Sequence, residues 1–325
     1  MKKSVLLSAP YMLPFLDRFS PVLKHFGLEL IVPEVSERLS ERDLLQYAGQ
    51  FDGAICGDDQ YNERVIRACL PRLKFISKWG TGIDSIDKKF ALSVGVGVGN
   101  TPNAFTLPVS DSVIGYILTF ARTIPWMDRA MKNGEWQKIP GRSLSECTLG
   151  VIGVGDVGKA VIRRARAFGM NLLGNDIRNI EPDFILEQGL KMVDLKTLLS
   201  QADFISVNCD LNPTSYHLIN ADTLDAMQPQ AILINTARGP VVDEQALITA
   251  LHNQEIGGAA LDVFEVEPLP EDSPLMKMDN VLLAPHNSNS SPQAWERVHW
   301  NTIRNLLNGL AIDAADFDEI IMLNS

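Results

Sequence analysis

Along residues 1 to 100, short apolar runs alternate with segments whose apolar positions recur every three or four residues. The runs are "VLLS", "LELIV", "GAICG", "KFISKW" and "GVGVGN"; the helical segments are Leu16 to Phe26, Glu41 to Tyr47 and Tyr61 to Cys69. Such alternation predicts strands of a parallel sheet joined by crossover helices. A long helix over Thr106 to Arg122 and a short one ending near "KNGEW" follow. The rhythm then resumes with strands at "TLGVIG", "NLLGND", "FISVN", "AILINT", "GGAALDV" and "VLLAPH", and helices starting near Asp156, Leu195, Ala221 and Glu244. This predicts a doubly wound sheet of six or so strands over about 148 to 286. After "SPQAW" one more helix runs to about Asn308. The closing segment of about 35 residues is too short to bury a core of its own, so it is expected to dock on the first sheet. The expected domains are therefore 1–102 with 290–325, discontinuous in sequence, and 103–289.

Composition narrows the classes. The 325 residues fit two domains of roughly 100 to 200 residues each. With 46% apolar and 21% charged residues, the chain reads as an ordinary globular protein. Its formal net charge of −11 argues against nucleic acid as a partner of the whole surface, while leaving room for a local anion pocket. Cys56, Cys69, Cys147 and Cys209 stand far apart without ligand spacing, so neither a metal site nor a disulfide framework is expected. Reduced thiols point to the cytoplasm. The opening "MKKSVLLSAPYMLPFL" sets lysines before apolar residues as a signal peptide does, but Pro10 and Pro14 break the run and "SVLLS" suits a strand. The most apolar helix, "VIGYILTFA", is nine residues long, whereas a membrane span needs about 20.

Three glycine-rich stretches compete for a nucleotide. "GTGIDS" (Gly80 to Ser85) and "GVGVGN" (Gly95 to Asn100) lack the third glycine or the helix that should follow. Only Gly153-Val154-Gly155-Asp156-Val157-Gly158 stands between an apolar strand and an amphipathic helix, whose apolar face is Val157, Val161, Ala165 and Phe168. The first glycine permits a tight turn, the second lets backbone approach a pyrophosphate, and the third lets helix pack on strand. The anion then rests on N–H groups at the helix start. Asp176, 18 residues after Gly158, ends the next strand, where a carboxylate accepts both ribose hydroxyls and repels a 2′-phosphate. NAD is thus favoured over NADP, with Arg178 two residues on as the group that softens the discrimination.

Ligands of such sheets bind at the carboxyl ends of the strands. "AILINT" is followed by Ala237-Arg238-Gly239, "GGAALDV" by Phe264-Glu265-Val266-Glu267-Pro268, and "VLLAP" by His286. An arginine, two candidate glutamates and a histidine thus follow three strands of one sheet. The stretches "GVIGVGDVGKAV", "INTARGPVVDEQAL", "ALDVFEVEPLP" and "LLAPHNS", with "ISKWGTGIDSID" and "VGNTPNAF" earlier, resemble the D-isomer-specific 2-hydroxyacid dehydrogenases, phosphoglycerate-dehydrogenase-like members above all. The likeness covers nearly the whole chain. It implies an α/β architecture of two doubly wound parallel-sheet domains, a Rossmann nucleotide-binding domain inserted in a flavodoxin-like substrate domain. The active site is expected between the two, acting on a small D-2-hydroxy acid or its keto acid. By resemblance Arg238 holds the substrate carboxylate and carbonyl, His286 is the general acid/base, Glu267 is its partner, and Asp262 orients the nicotinamide. The resemblance extends the cofactor contacts to Thr236, Ala237, Arg238, His286 and Asn289, and a homodimer built around the long helix near 106 to 122 is expected.

Physical chemistry agrees with these roles. Reducing a 2-keto acid needs a proton at the forming alkoxide, and an imidazole with an ordinary pKa near 6.5 both gives and takes one at neutral pH. A neighbouring carboxylate favours the imidazolium and sets its tautomer. Arginine presents a planar fork to a carboxylate, which lysine does not reproduce. In the first domain, backbone N–H groups around Gly80, Thr81 and Gly82 form a candidate nest for the substrate carboxylate, and Lys78 is a candidate cation for a phosphorylated substrate, with a solvated lysine as the alternative. Trp79 is a candidate wall of the pocket. His25, His217, His252 and His299 read as surface or core-edge residues without partners. Asn208, Asp210, Asn212, Phe105 and Asn289 depart from the residues usual in the family. The rival readings are an NAD-sensing corepressor-like scaffold without catalysis, and a formate- or phosphite-type dehydrogenase.

Overall fold

Runs that do not alternate mark strands covered on both faces. Val5, Leu6 and Leu7 are fully buried, and so are all four residues of "FISV", 204–207. The computed structural model describes residues 2–324 and contains two parallel sheets. The first has five strands: β1 (Lys3–Leu7), β2 (Leu28–Ile31), β3 (Gly53–Cys56), β4 (Phe75–Lys78) and β5 (Gly97–Gly99), in the order β2-β1-β3-β4-β5. The second has seven: β6 (Thr148–Ile152), β7 (Asn171–Asn175), β8 (Lys191–Met192), β9 (Phe204–Val207), β10 (Ile232–Asn235), β11 (Gly258–Leu261) and β12 (Val281–Leu283), in the order β12-β11-β10-β9-β6-β7-β8. The first order is the flavodoxin type and the second is the dinucleotide-binding type.

The chain divides into two compact units, Met1–Ala104 with Ser291–Ser325, and Phe105–Ser290. In the first unit the helix Pro292–Gly309 returns from the end of the chain and covers β3, β4 and β5. It buries Val298, Ile303, Leu306 and Leu307, each contributing roughly 1.5–3 kcal/mol by leaving water. Small residues set the depth of this docking: a Cβ on Gly309 would lie 2.0 Å from the Phe75 ring, and one on Gly53 would lie 2.8 Å from Leu306. Ser77 Oγ donates to the Thr302 carbonyl at 2.7 Å, satisfying a polar group inside the interface. In the second unit the chain enters the sheet at β6, runs outward to β8, and returns to β9 on the other side of β6. The crevice between β6 and β9 is therefore its topological switch point.

Several elements differ from expectation. The second sheet has a seventh strand, β8, two residues long at the edge and preceded by Gly189 at φ +62°. Two residues carry no readable periodicity. Short helices Lys88–Ser93 and Pro182–Gln188 and the last helix Phe317–Asn324 were likewise not expected. The histidines also differ. His25 meets Asp316 at 2.9 Å and His217 meets Glu265 at 2.7 Å, so neither lacks a partner. His299 is buried at 3% exposure, accepts a hydrogen bond from Trp79 Nε1 at 2.9 Å, and burial pulls its pKa down to about 4. Its neutrality lets the ring serve as an acceptor inside an aromatic cluster with Phe19.

Candidate active site

The three glycines of the loop after β6 are each required for a different contact. Gly153 adopts φ +86°, and a Cβ there would lie 2.7 Å from the Cys209 nitrogen on the segment after β9. A Cβ on Gly158 would lie 2.0 Å from the Gly153 carbonyl, so the helix Asp156–Ala167 starts directly against the turn. At Gly155 the sole neighbour of such a Cβ is Arg178 Nη2 at 3.3 Å, which leaves the backbone open to approach. No side chain caps this helix at Gly155, so its first-turn N–H groups remain for an external acceptor.

Asp176 follows β7 and reaches back to this loop. Its carboxylate accepts the N–H of Val154 at 2.7 Å and that of Arg178 at 2.8 Å, and meets Arg178 Nε at 3.4 Å. Burial opposes its charge, but these N–H groups and the guanidinium outweigh burial and hold the carboxyl below its usual range. The side chain is anionic throughout neutral pH. At the ends of β9 and β10, Asn208 Oδ1 and Thr236 Oγ1 are buried polar atoms that meet no hydrogen-bond partner. An uncapped helix start, an open glycine, an anionic Asp176 and two orphaned polar atoms around one switch point fit a dinucleotide.

The remaining strand ends carry ionisable groups. Asn235, buried at the end of β10, donates from Nδ2 to the Arg238 carbonyl at 3.0 Å and accepts the Ala237 N–H at 3.1 Å. This brace sets the turn from which half-buried Arg238 projects. Gly239 packs against the segment after β11 so tightly that a Cβ would lie 1.9 Å from the Phe264 carbonyl carbon. On that segment Glu267 Oε1 accepts the Phe264 N–H at 3.0 Å, and Oε2 lies 3.0 Å from His286 Nδ1. Glu265, the competing carboxylate, faces His217 instead, and its N–H donates to Glu244 at 3.1 Å. The geometry thus separates the two glutamates.

His286 sits at φ +50°, a left-handed conformation that costs a non-glycine residue about 1 kcal/mol. Asp262 holds it there. The His286 N–H donates to the Asp262 carbonyl at 2.8 Å, and the Asp262 carboxylate accepts the N–H groups of Asn287 at 2.8 Å and Ser288 at 2.9 Å. Burial pushes the Asp262 pKa up, against the pull of these N–H groups. The structure places both carboxylate oxygens on the loop that presents His286, a role that the expectation for Asp262 did not include. Asn235, His217 and Glu244 were also not singled out. A polar residue closing the apolar run "ILIN" is the signal that points to Asn235.

Lys78, Gly80, Thr81 and Gly82 belong to the other unit. Gly80 adopts φ +113°, the Thr81 hydroxyl donates to the Thr101 carbonyl at 3.0 Å, and Asn100 Nδ2 donates to the Thr81 carbonyl at 2.6 Å. Lys78 is not a solvated lysine: it is 4% exposed and paired with Asp58. Trp79 is buried and stacks on Tyr11 at 4.4 Å between centroids. Among the described residues, no group of three or more His, Cys, Asp or Glu could hold a metal ion, and no helix is long and apolar enough to cross a membrane.

Residues 114–288 match the model of the "D-isomer specific 2-hydroxyacid dehydrogenase, NAD binding domain". A glyoxylate reductase of Korarchaeum cryptofilum is 36% identical over 295 residues, 89% of this chain and 88% of that protein. The chain belongs to the D-isomer-specific 2-hydroxyacid dehydrogenases. A D-3-phosphoglycerate dehydrogenase of Methanocaldococcus jannaschii is 38% identical over 264 residues, 80% of this chain and 50% of that protein. Among solved structures, a D-lactate dehydrogenase of Aquifex aeolicus, in complex with NAD and lactic acid, superimposes with a TM-score of 0.82 at 26% identity, covering 99% of this chain and 97% of that one. This 2-hydroxyacid dehydrogenase is therefore an NAD-dependent oxidoreductase, and the switch-point residues described above fit that cofactor.

Proposed function

We propose that the chain interconverts a small D-2-hydroxy acid and its 2-keto acid with His286, Glu267 and Arg238 as the working groups. The observation that carries this reading is the 3.0 Å contact between Glu267 Oε2 and His286 Nδ1. With Nδ1 committed to a carboxylate, the imidazole exchanges the substrate proton through Nε2, and Glu267 stabilises the ring while it is charged. Arg238 offers two N–H groups to the substrate carboxylate and carbonyl, fixing the carbonyl carbon in one orientation. When bound, the nicotinamide ring supplies or accepts the hydride at C2. Asp262 keeps His286 in its left-handed turn, so that the proton donor is in place before substrate arrives. Gly153, Gly155, Asp156, Val157 and Gly158 hold the pyrophosphate, Asp176 the ribose, and Thr236, Ala237 and Asn289 line the nicotinamide end. The Gly80, Thr81 and Gly82 backbone is the first unit's candidate nest for an anion.

The test is stopped-flow reduction of glyoxylate, hydroxypyruvate and pyruvate with NADH. His286→Ala lowers the reduction rate by about 10²–10⁴-fold while NADH affinity, read by fluorescence, stays near that of the parent protein. Turnover unchanged in His286→Ala removes the residue from this role.

The reading extends to assembly and location. Leu107, Ile124, Met131 and Trp136, within residues 107–136, are 58%, 52%, 50% and 81% exposed, apolar side chains that a second copy would cover. Four free cysteines fit a reducing compartment, the cytoplasm.

A further inference from the structure

His217 takes no part in the acid/base chemistry above, yet it joins two of the segments that carry it. It adopts φ +48°, a left-handed conformation that an L residue keeps only where its surroundings enforce it. Its N–H donates to the carbonyl of Pro240, two residues beyond Arg238, at 2.9 Å. The pairing continues: the Ile219 N–H donates to the Val241 carbonyl at 3.1 Å, and the Asp243 N–H to the Ile219 carbonyl at 2.8 Å. Asn220 Nδ2 donates to the His217 carbonyl at 3.0 Å. The backbone of His217 is thus fixed to the segment that follows Arg238.

Its side chain reaches the other segment, the one after β11. Nε2 lies 2.7 Å from Glu265 Oε1, and since an ionised carboxylate only accepts, Nε2 carries the hydrogen. Tyr216 stacks on the imidazole at 4.0 Å between centroids, which holds the plane of the ring. Asp243 Oδ2 stands 3.9 Å from Nδ1. Glu244 and Glu265 exchange hydrogen bonds: Glu265 Oε1 accepts the Glu244 N–H at 3.4 Å, and Glu244 Oε2 accepts the Glu265 N–H at 3.1 Å. Burial, and after it the charge of Glu265, push the Glu244 pKa up, so these two carboxyl groups crowd each other. The imidazole N–H is the donor that anchors Glu265 among these acids.

We propose that His217 is a positioning residue of the acid/base pair: by anchoring Glu265 it fixes the segment 264–267 that aims Glu267 at His286, and it ties that segment to the turn of Arg238. The connection is short. Glu267 Oε1 accepts the Phe264 N–H at 3.0 Å while Oε2 meets His286 Nδ1 at 3.0 Å, so a shift of residues 264–265 carries the carboxylate away from the ring. This rests on the proposed roles of His286 and Glu267.

The readout is the pH dependence of kcat/KM for glyoxylate reduction by NADH, whose alkaline limb follows loss of the His286 proton in the proposed mechanism. Glu267 favours the charged ring, so removing its support moves that limb to lower pH. His217→Phe keeps a ring for Tyr216 but deletes the donor; it shifts the limb by about one pH unit and lowers kcat roughly 10- to 100-fold. Asp262 also acts on His286 and keeps its own hydrogen bonds to Asn287 and Ser288. NADH affinity, read by fluorescence, is unchanged. His217→Gln retains an N–H donor for Glu265 and returns both quantities toward the parent values. Glu265→Leu cuts the same link from its other end and removes the crowding with Glu244; it moves the limb likewise, and adding His217→Phe to it moves the limb no further. A limb that stays put overturns the proposal, whether or not kcat falls, and leaves the reductase reading standing. If His217→Phe does not fold, the limb of Glu265→Leu decides. Reduction that His286→Ala leaves undiminished overturns both.

Discussion

At the scale of single residues, the proposed chemistry rests on side chains already held by neighbours within the fold. Glu267 occupies one imidazole nitrogen of His286. Asp176 is likewise pre-set: backbone N–H groups and Arg178 keep it ionised despite its burial. An ionised carboxylate in that position accepts ribose hydroxyls and repels a 2′-phosphate, whereas Arg178 acts in the opposite sense. Asp176→Ala should therefore narrow the preference for NADH over NADPH by roughly 10- to 100-fold, the range for losing hydrogen bonds to a charged acceptor. Comparing kcat/KM for the two cofactors checks this, and an unchanged preference assigns ribose recognition to another group. The sequence made Asp176 legible because its distance from the glycine loop is set by one helix and one strand. It did not show that Lys78 is neutralised, since Asp58 lies 20 residues earlier and pairing across β3 and β4 is a tertiary event.

At the scale of elements, the strand ends and the loops that follow them do the positioning. Asn235 braces the Arg238 turn, Gly239 lets the segment after β11 come into contact with it, and Asp262 holds the loop after β12. The first acts within its own turn, whereas the other two tie the ends of neighbouring strands of one sheet together. Gly239→Ala would put a methyl 1.9 Å from the Phe264 carbonyl carbon, which cannot yield as a flexible side chain would. We expect a loss of about 1–3 kcal/mol in unfolding free energy and, because Glu267 moves with Phe264, a lower kcat as well. Urea unfolding together with steady-state kinetics reads both; an unaltered kcat would separate the packing from the catalytic geometry. The long strands and helices were visible as periodicity. The two-residue β8 and the helix Pro182–Gln188 were not, because so few residues acquire their form from neighbouring elements rather than from a pattern of their own.

At the scale of the whole molecule, two sheets of different strand order share one chain, and the helix Pro292–Gly309, late in the sequence, covers strands of the first. The expectation that the final segment needs a host was an argument from size. Which strands it covers was decided by Gly53, Phe75 and Gly309, whose fit only coordinates reveal. The exposed apolar side chains Leu107, Ile124, Met131 and Trp136 carry the largest-scale prediction. Light scattering at working concentration should return twice the 35.9 kDa chain mass, and Trp136→Glu should lower the dimer fraction. A monomeric mass for the unaltered protein removes that face from an assembly role.

By itself the sequence determined the two α/β units, the glycine turn with its acidic partner, and the order in which arginine, glutamate and histidine follow their strands, because each depends on periodicity or on spacing within a few elements. Resemblance already pointed to Glu267 rather than Glu265 as the partner of His286, and the two lie 3.0 Å apart; tertiary structure alone decided that Asp262 holds the turn presenting His286 and that Lys78 is spent on Asp58. Those outcomes depend on how neighbouring strands bring distant residues within about 3 Å, a distance at which one hydrogen bond selects between groups that look equivalent along the chain.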